Sequence, residues 1–310
     1  MSKSLDATLA ILNGLVGDYL HRENNGLATD MAFFQRDRAL ALEPSALARS
    51  HPEATGRVVV LVHGVMTTEN VWLQPDGSDY GKSLASDAGF TPFYLRYNTG
   101  LAIADNGAGL ARLLGELLRA YPRPVDELLL LGYSMGGLVV RSACHFASAQ
   151  SDAWLSLVKR AVYVGTPHLG APGERVGRVV AKVLAAIDDP YTKLIADIGN
   201  LRSSGIKDLG NADLRHEDRQ DQGERLSLLD ARHPVPLLPG ISHYLIAGSL
   251  AQKPLAALFG DSVVPVSSAT WHSALLPEQH VKLLPGLSHV ALAHSPDVYE
   301  RIKAWCEEPP

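Results

Sequence analysis

A serine between two glycines stands where an apolar run meets a helical pattern. The run Leu128–Leu131 leads into Gly132, Ser134 and Gly136 in the order G-x-S-x-G, and a helical pattern follows over residues 136–149. A serine on so sharp a strand-to-helix turn has a strained backbone, and the helix behind it directs its positive end at the same place. The pattern predicts that Ser134 is a nucleophile in acyl transfer. The alternative is a glycine-rich structural turn.

A nucleophilic serine requires a base, and the base requires a carboxylate that orients it. On a strand-turn-helix of this kind the acid and then the histidine follow the serine, each in a loop after a later strand. Asp261 stands in one such loop and His289 in the next. We therefore expect both side chains to reach Ser134. The alternatives are that His294 is the base and that Asp261 is only a turn residue beside a glycine.

Two backbone N–H groups are candidates to hold the oxyanion of such a reaction. One belongs to Met135, the residue after the serine, and the other to Val65 in the loop after the first core strand. Gly64 lets this loop come close to the serine because it has no side chain. We expect Val65 and Met135 to form the oxyanion hole and the neighbouring His63 to have a structural role. The alternative for this loop is a turn with no catalytic part.

These residues meet only if the strands that carry them end at the same edge of a sheet. Short apolar runs without alternation recur along the chain, as expected of strands buried on both faces. They span residues 58–62, 93–97, 128–131, 161–164, 244–247 and 281–284. Helical patterns separate most of them, at residues 101–120, 136–149 and 296–306. The alternation predicts an α/β domain, with a mostly parallel sheet flanked by helices.

Two segments lie outside this alternation. Residues 1–57 are predicted to be an N-terminal helical segment packed on the core, with one amphipathic helix at 5–20 and a second around Met31–Leu42. Residues 171–242 contain two amphipathic patterns and no strand signal, which predicts an inserted helical cap or lid. The core is then made of residues 58–170 and 243–310.

The predicted cap leaves the sheet just after the strand that ends at Val164. Open α/β sheets bind ligands outside the carboxyl ends of their strands, which is the side where this segment emerges. We expect the apolar stripes around Val180, Leu184 and Ile195 to cover the pocket above Ser134. The alternative is that these helices pack mainly on each other. An apolar cover favours an apolar acyl chain as substrate.

Composition and charge exclude several other classes of protein. The 28 lysines and arginines against 33 aspartates and glutamates give a net charge of −5, which does not favour a nucleic-acid partner. The two cysteines, Cys144 and Cys306, are too far apart for a cysteine zinc motif and do not form a disulfide framework. No apolar stretch is long enough for a membrane span. We expect a soluble, cytoplasmic protein without cofactor or metal.

Five blocks of sequence resemble the lipases of the α/β-hydrolase superfamily. They are Val62-His63-Gly64, Gly132-Tyr133-Ser134-Met135-Gly136-Gly137, Val164-Gly165-Thr166-Pro167-His168-Leu169-Gly170, Gly260-Asp261-Ser262-Val263-Val264-Pro265 and Leu287-Ser288-His289. Within that superfamily the chain resembles soluble bacterial relatives of the GPI inositol-deacylase type, from about residue 58 to its end. The resemblance implies that Ser134, Asp261 and His289 form a catalytic triad, and it supports Val65 as an oxyanion donor.

Taken together, the motifs predict a serine hydrolase of carboxylic esters that works through an acyl-enzyme on small or lipid-like esters with apolar acyl groups. Other acyl chemistry on the same triad is the alternative within enzymes: a thioesterase, amidase, acyltransferase or perhydrolase. Outside enzymes, the alternative is a binding protein on a hydrolase fold that has lost catalysis.

Overall fold

The computed structural model describes residues 3–35, 37–74, 76–170, 203–217, 235–250, 261, 264–271 and 276–309. Within these residues the chain forms one twisted sheet covered by helices on both faces. The strands are β1 (Ala32–Gln35), β2 (Arg38–Ala39), β3 (Arg57–Val62), β4 (Phe90–Arg96), β5 (Glu127–Tyr133), β6 (Val158–Val164), β7 (Ser242–Ser249) and β8 (Val281–Pro285).

The order of the strands across the sheet is β2-β1-β4-β3-β5-β6-β7-β8. All neighbours from β4 to β8 run parallel, whereas β1 pairs antiparallel with both β2 and β4. The prediction of a mostly parallel sheet flanked by helices is therefore confirmed. After β3 the chain adds β4 on one side and then β5 on the other, so the strand order reverses between β3 and β5. Open α/β sheets bind ligands at such a reversal.

The uninterrupted β-branched run of β3 explains its central position. Val58, Val60 and Val62 belong to the apolar core on one face of the sheet, and Val59 and Leu61 to the core on the other. All five are completely buried. Successive side chains of a strand point to opposite faces, so a strand covered on both faces has no polar position.

Eight helices of the described chain surround the sheet or close its loops. They are α1 (Lys3–Arg22), α2 (Pro44–Ser50), α3 (Tyr80–Ala88), α4 (Ile103–Ala120), α5 (Met135–Gln150), α6 (Ser204–Asn211), α7 (Val266–Ala269) and α8 (Pro296–Glu307). Side chains of α1, α2, α4 and α5 pack into one core, and those of α3 and α8 into the other. No helix among the described residues is both long enough and apolar enough to cross a membrane.

The helix predicted around Met31–Leu42 is wrong. This segment forms β1, a turn in which Asp37 has a φ of 62°, and β2. Phe33 is buried with its ring 5.5 Å from the ring of Phe93 on β4, in an edge-to-face contact. The antiparallel pairing with β4 places this aromatic side chain in the core, and that packing outweighs a periodicity too short to distinguish strand from helix.

Part of the predicted cap is described and lies against the core. The Ser203 hydroxyl donates to the Gly14 carbonyl of α1 at 2.6 Å, and the Asp18 carboxylate accepts from the Ser204 N–H at 2.9 Å. The Asp208 carboxylate accepts from the N–H of Ile103, the first residue of α4, at 2.9 Å. Helix α6 is therefore held to both α1 and α4. Residues 171–202 and 218–234 of the predicted cap, which include Val180, Leu184 and Ile195, lie outside the described residues.

Arg160 is a fully buried cation that ties the carboxyl terminus to the sheet. Its guanidinium donates to the Trp305 carbonyl at 2.9 Å, to the Glu308 carbonyl and to the Glu127 carboxylate. We predict that Arg160→Met lowers the free energy of unfolding by about 2 kcal/mol, because the buried Trp305 carbonyl loses its charged donor and the Glu127 carboxylate keeps only Arg57.

Urea unfolding of purified protein measures this loss. Arg22→Met is the matched control, because Arg22 is exposed and its ion pair with Glu23 is a surface pair. We expect the control to change the free energy by less than about 0.5 kcal/mol. Equal losses in the two variants would contradict the role given to Arg160.

Candidate active site

Ser134 occupies the turn between β5 and α5 with a backbone that serine rarely adopts. Its φ of 54° and ψ of −125° lie in a region favoured by glycine. Such a conformation costs about 1–3 kcal/mol and persists only where the surroundings enforce it. The Ser134 N–H donates to the Val164 carbonyl at the end of β6 at 2.8 Å, which fixes the turn to the neighbouring strand.

Close backbone approaches enforce this turn. A methyl group on Gly136 would overlap the carbonyl oxygens of Val62 and His63, at the end of β3. A methyl group on Gly132 would lie 2.6 Å from the Gly137 nitrogen. The first turn of α5 can therefore pack directly on β3 at Gly136 and on β5 at Gly132 only because these positions lack side chains.

The structure brings the predicted nucleophile, base and acid together. The His289 Nε2 lies 2.9 Å from the Ser134 Oγ, and the His289 Nδ1 lies 2.7 Å from the Asp261 Oδ2. All three side chains are buried. The carboxylate can only accept, so Nδ1 carries the proton and Nε2 is left to accept from the serine hydroxyl. This is the arrangement in which a histidine can remove the proton of a serine.

Asp261 and His289 are also joined through their backbones. The His289 N–H donates to the Asp261 carbonyl at 3.0 Å, and the second carboxylate oxygen of Asp261 accepts from the Val264 N–H at 2.7 Å. The competing histidine, His294, ends a short 3-10 helix at Val290–Ala293. Among the described residues, no hydrogen bond joins the His294 ring to Ser134 or Asp261.

The loop after β3 lies directly beside the serine. A methyl group on Gly64 would be 3.0 Å from the Ser134 Cβ. In this loop Met66 has a φ of 56°, and its N–H donates to the Thr99 hydroxyl at 3.1 Å. Within the described part of the chain, the N–H groups of Val65 and Met135 make no hydrogen bond. Both are thus available to a substrate oxygen, and both stand next to Ser134 in sequence or space.

His63 and Tyr97 hold the base of this loop. The Tyr97 hydroxyl donates to the His63 carbonyl at 2.8 Å, and the two rings stack with centroids 4.5 Å apart. The His63 Nδ1 lies 2.9 Å from the Gly64 carbonyl, so Nδ1 carries the proton. Burial lowers the pKa of His63 to about 4, which keeps the ring neutral at pH 7.

Helix α5 also contacts two described parts of the predicted cap, at Leu214 and Val235, together with the loop after β6. The buried guanidinium of Arg141 donates to the Val235 carbonyl, lies 3.1 Å from the His168 Nδ1 and covers the Trp271 ring at 4.9 Å. Burial lowers the pKa of Arg141 to about 10, so the side chain is still a cation at pH 7. The Ser142 hydroxyl donates to the Leu214 carbonyl at 2.7 Å.

Sequence patterns did not indicate Thr99, Tyr97 or Arg141 as parts of this site. Thr99 and Tyr97 follow β4, and they act on the loop after β3 only because these two strands are neighbours. Arg141 lies within the helical pattern of α5, where an arginine is usually exposed. No sequence pattern indicates that Thr99 and Tyr97 contact the loop after β3 or that Arg141 is buried.

Comparison with solved structures identifies the fold. The mature form of the Bacillus licheniformis lipase BlEst2 is similar at 19% sequence identity and a TM-score of 0.52, over 81% of this chain and 91% of the lipase chain. The Pyrococcus furiosus esterase Pf2001 is similar at 15% identity and a TM-score of 0.46, over 82% and 83% of the two chains. With the sheet order above, the similarity to the lipase shows that this chain has the α/β-hydrolase fold.

Sequence comparisons add no assignment. No protein-family model matches the chain, and no curated protein sequence matches it either. The similarity to the lipase, at this level of identity, concerns the fold alone.

The neutral burial of His63 predicts how stability depends on pH. Between pH 6.5, the ordinary pKa of histidine, and pH about 4, the unfolded chain binds a proton that the folded chain excludes. The free energy of unfolding should therefore decrease as the pH falls through this window, by about 3 kcal/mol from His63 alone.

Urea unfolding at pH 7 and at pH 4.5 measures how the free energy of unfolding depends on pH. The wild type is compared with His63→Gln, in which the side chain at position 63 does not titrate. The His63→Gln variant should lose less stability on acidification than the wild type. His21→Gln changes an exposed histidine and should leave the slope unchanged. A slope that is the same in the wild type and in His63→Gln would show that His63 does not contribute.

Proposed function

We propose that this protein is a serine hydrolase of carboxylic esters, with Ser134 as nucleophile, His289 as general base and acid, and Asp261 as the residue that orients His289. The observation that carries the proposal is the continuous set of hydrogen bonds from the Asp261 carboxylate through the His289 ring to the Ser134 hydroxyl. It lies where the strand order reverses, at the carboxyl ends of the parallel strands.

In the proposed acylation step, the Ser134 Oγ attacks the ester carbonyl carbon while its proton passes to the His289 Nε2. Asp261 stabilises the imidazolium that forms and remains ionised itself. The tetrahedral intermediate then collapses: the bond to the alcohol oxygen breaks, and His289 returns the proton to that oxygen. The products are a free alcohol and an acyl group on Ser134.

Deacylation repeats these steps with water as the nucleophile. His289 removes a proton from the water, whose oxygen attacks the acyl carbon. When the second intermediate collapses, the bond to the Ser134 Oγ breaks and His289 returns the proton to that oxygen. The carboxylic acid leaves, and the enzyme is restored without any external reagent other than water.

The Val65 and Met135 N–H groups are proposed to hold the oxyanion in both intermediates. Supporting this role, both are free of partners in the described part of the chain, and Met135 is the first residue of α5, where the helix dipole is positive. A donor of this kind typically contributes a factor of about 10²–10³ to the rate.

Two features favour esters over other acyl substrates. The same three residues could attack thioesters or amides, and another acceptor could replace water. The apolar patterns predicted in the inserted segment favour an apolar acyl group. The lipase with the similar fold is consistent with an ester substrate.

Covalent labelling and ester turnover test the proposal together. A fluorophosphonate probe should label Ser134 in the wild type, and p-nitrophenyl esters should be hydrolysed. Ser134→Ala should lose both while the protein stays folded by circular dichroism. A folded wild type that is neither labelled nor active would be a binding protein on this fold. Turnover above a few per cent in Ser134→Ala would exclude Ser134 as nucleophile.

The two nearby histidines provide a matched pair of variants. His289→Ala should reduce kcat/KM by roughly 10⁴-fold, because the serine loses the base that accepts its proton. His294→Ala should change kcat/KM by less than about threefold, since no hydrogen bond joins the His294 ring to Ser134 or Asp261 among the described residues. The reverse ranking, measured with p-nitrophenyl acetate, would identify His294 as the base.

The proposed domain organisation places a cap, residues 171–242, over Ser134 and a core of residues 58–170 and 243–310 beneath it. The described parts of the cap support this, since α6, Leu214 and Val235 are held by α1, α4 and α5. The contacts of Leu214 and Val235 anchor the cap to α5, the helix whose first turn follows Ser134.

Substitution of Leu184 or Ile195 tests whether the cap lines the acyl pocket. Leu184→Ser and Ile195→Ser should shift the preference among p-nitrophenyl esters of two to twelve carbons, and they should change acetate turnover little. The control, Leu27→Ser, removes an exposed leucine of the N-terminal segment. An unchanged chain-length profile with lower thermal stability would show that these residues belong to a scaffold.

A further inference from the structure

We propose that Tyr133 is a positioning residue for His289, holding the main chain of the base at one end and its ring on one face. The inference rests on the proposed function, because it concerns how the base is kept in place. Tyr133 directly precedes Ser134 in the chain. Two adjacent residues would therefore supply the attacking hydroxyl and the side chain that positions His289.

The contacts of Tyr133 with His289 are direct. The Tyr133 hydroxyl donates to the His289 carbonyl at 3.0 Å. The phenol ring lies against the imidazole, with centroids 5.2 Å apart and planes inclined by 31°. Tyr133 thus touches both the backbone and the side chain of the residue that must accept the proton of Ser134.

His289 needs such support because its own segment lies at the surface. It follows a glycine turn in which Gly286 has a φ of 86°, and the next residue, Val290, is 57% exposed. The His289 N–H is held by the Asp261 carbonyl. The Tyr133 hydroxyl holds the other side of the same residue, its carbonyl, which also accepts a longer hydrogen bond of 3.3 Å from the Leu292 N–H. Both main-chain polar groups of His289 are therefore fixed, which limits the motion of its ring.

Tyr133 is itself held rigidly. Its ring is buried and packs edge to face on Trp72, with centroids 6.0 Å apart. A methyl group on Gly64 would lie 3.3 Å from the Tyr133 Cδ1, so the loop after β3 packs against another side of the phenol ring. Burial raises the pKa of the Tyr133 phenol far above its ordinary value, and the hydroxyl remains a donor throughout the working range of an esterase.

Tyr80 provides a matched control in the same part of the fold. Its hydroxyl donates to the carbonyls of Leu292 and Ser295, both at 2.9 Å. Its ring also packs on Trp72, with centroids 5.8 Å apart. Tyr80→Phe therefore removes two hydrogen bonds from the segment that follows His289 but none from His289 itself.

The experiment compares Tyr133→Phe with Tyr80→Phe, using p-nitrophenyl acetate and a fluorophosphonate. Burst titration gives kcat per active site, and the pseudo-first-order labelling rate is likewise independent of how much protein is folded. Tyr133→Phe should lower kcat and the labelling rate by about tenfold and leave KM within about twofold, since misplacement of the base weakens the reaction and not the binding. Tyr80→Phe should lose at least as much thermal stability but keep kcat within about threefold.

The outcomes separate this inference from the proposed function. A wild type that hydrolyses esters, together with a Tyr133→Phe variant of unchanged kcat and labelling rate, would overturn the positioning role alone. Equal kcat losses in the two phenylalanine variants would reduce Tyr133 to a stabilising residue and overturn it as well. A wild type with neither turnover nor labelling would remove the proposed function itself.

Discussion

The left-handed backbone of Ser134 is the constraint on which the rest of the site depends. It occurs where the first turn of α5 packs directly against the end of β3 at Gly136 and against β5 at Gly132, which is possible only because both positions lack side chains. The loop after β3 lies beside the serine at Gly64. The packing of three glycines therefore sets the surroundings of the Ser134 hydroxyl. Strain of this size, about 1–3 kcal/mol, is held by the strands on either side.

Asp261 and His289 reach Ser134 by a different physical route. Asp261 and His289 stand on loops outside the strands, and hydrogen bonds between loops fix their positions. The Asp261 carbonyl, the Val264 N–H and the Tyr133 hydroxyl form most of this framework. Ser134 is thus fixed by steric contact and His289 by polar contact.

Sequence patterns predicted the six parallel strands and the helices α4, α5 and α8, because their runs and periodicities are long and unambiguous. They also indicated Ser134, Asp261 and His289, which the structure brings into contact. They did not predict α3, and they assigned the β1–β2 hairpin to a helix, since a four-residue aromatic strand has no clear period. Thr99, Tyr133 and Arg141 act across elements distant in sequence. Their roles depend on which strands are neighbours, and no local pattern contains that information.

Helix α5 makes two separate sets of contacts, one at its first turn and one at Arg141 and Ser142. Arg141 and Ser142 bind the described residues Val235 and Leu214 of the predicted cap, and Arg141 also lies beside His168 in the loop after β6. The glycine contacts that shape the serine turn lie at the first turn of the same helix, at positions 132 and 136. Replacement of Arg141 or Ser142 therefore leaves the packing around Ser134 in place, so the two parts of the fold can vary independently.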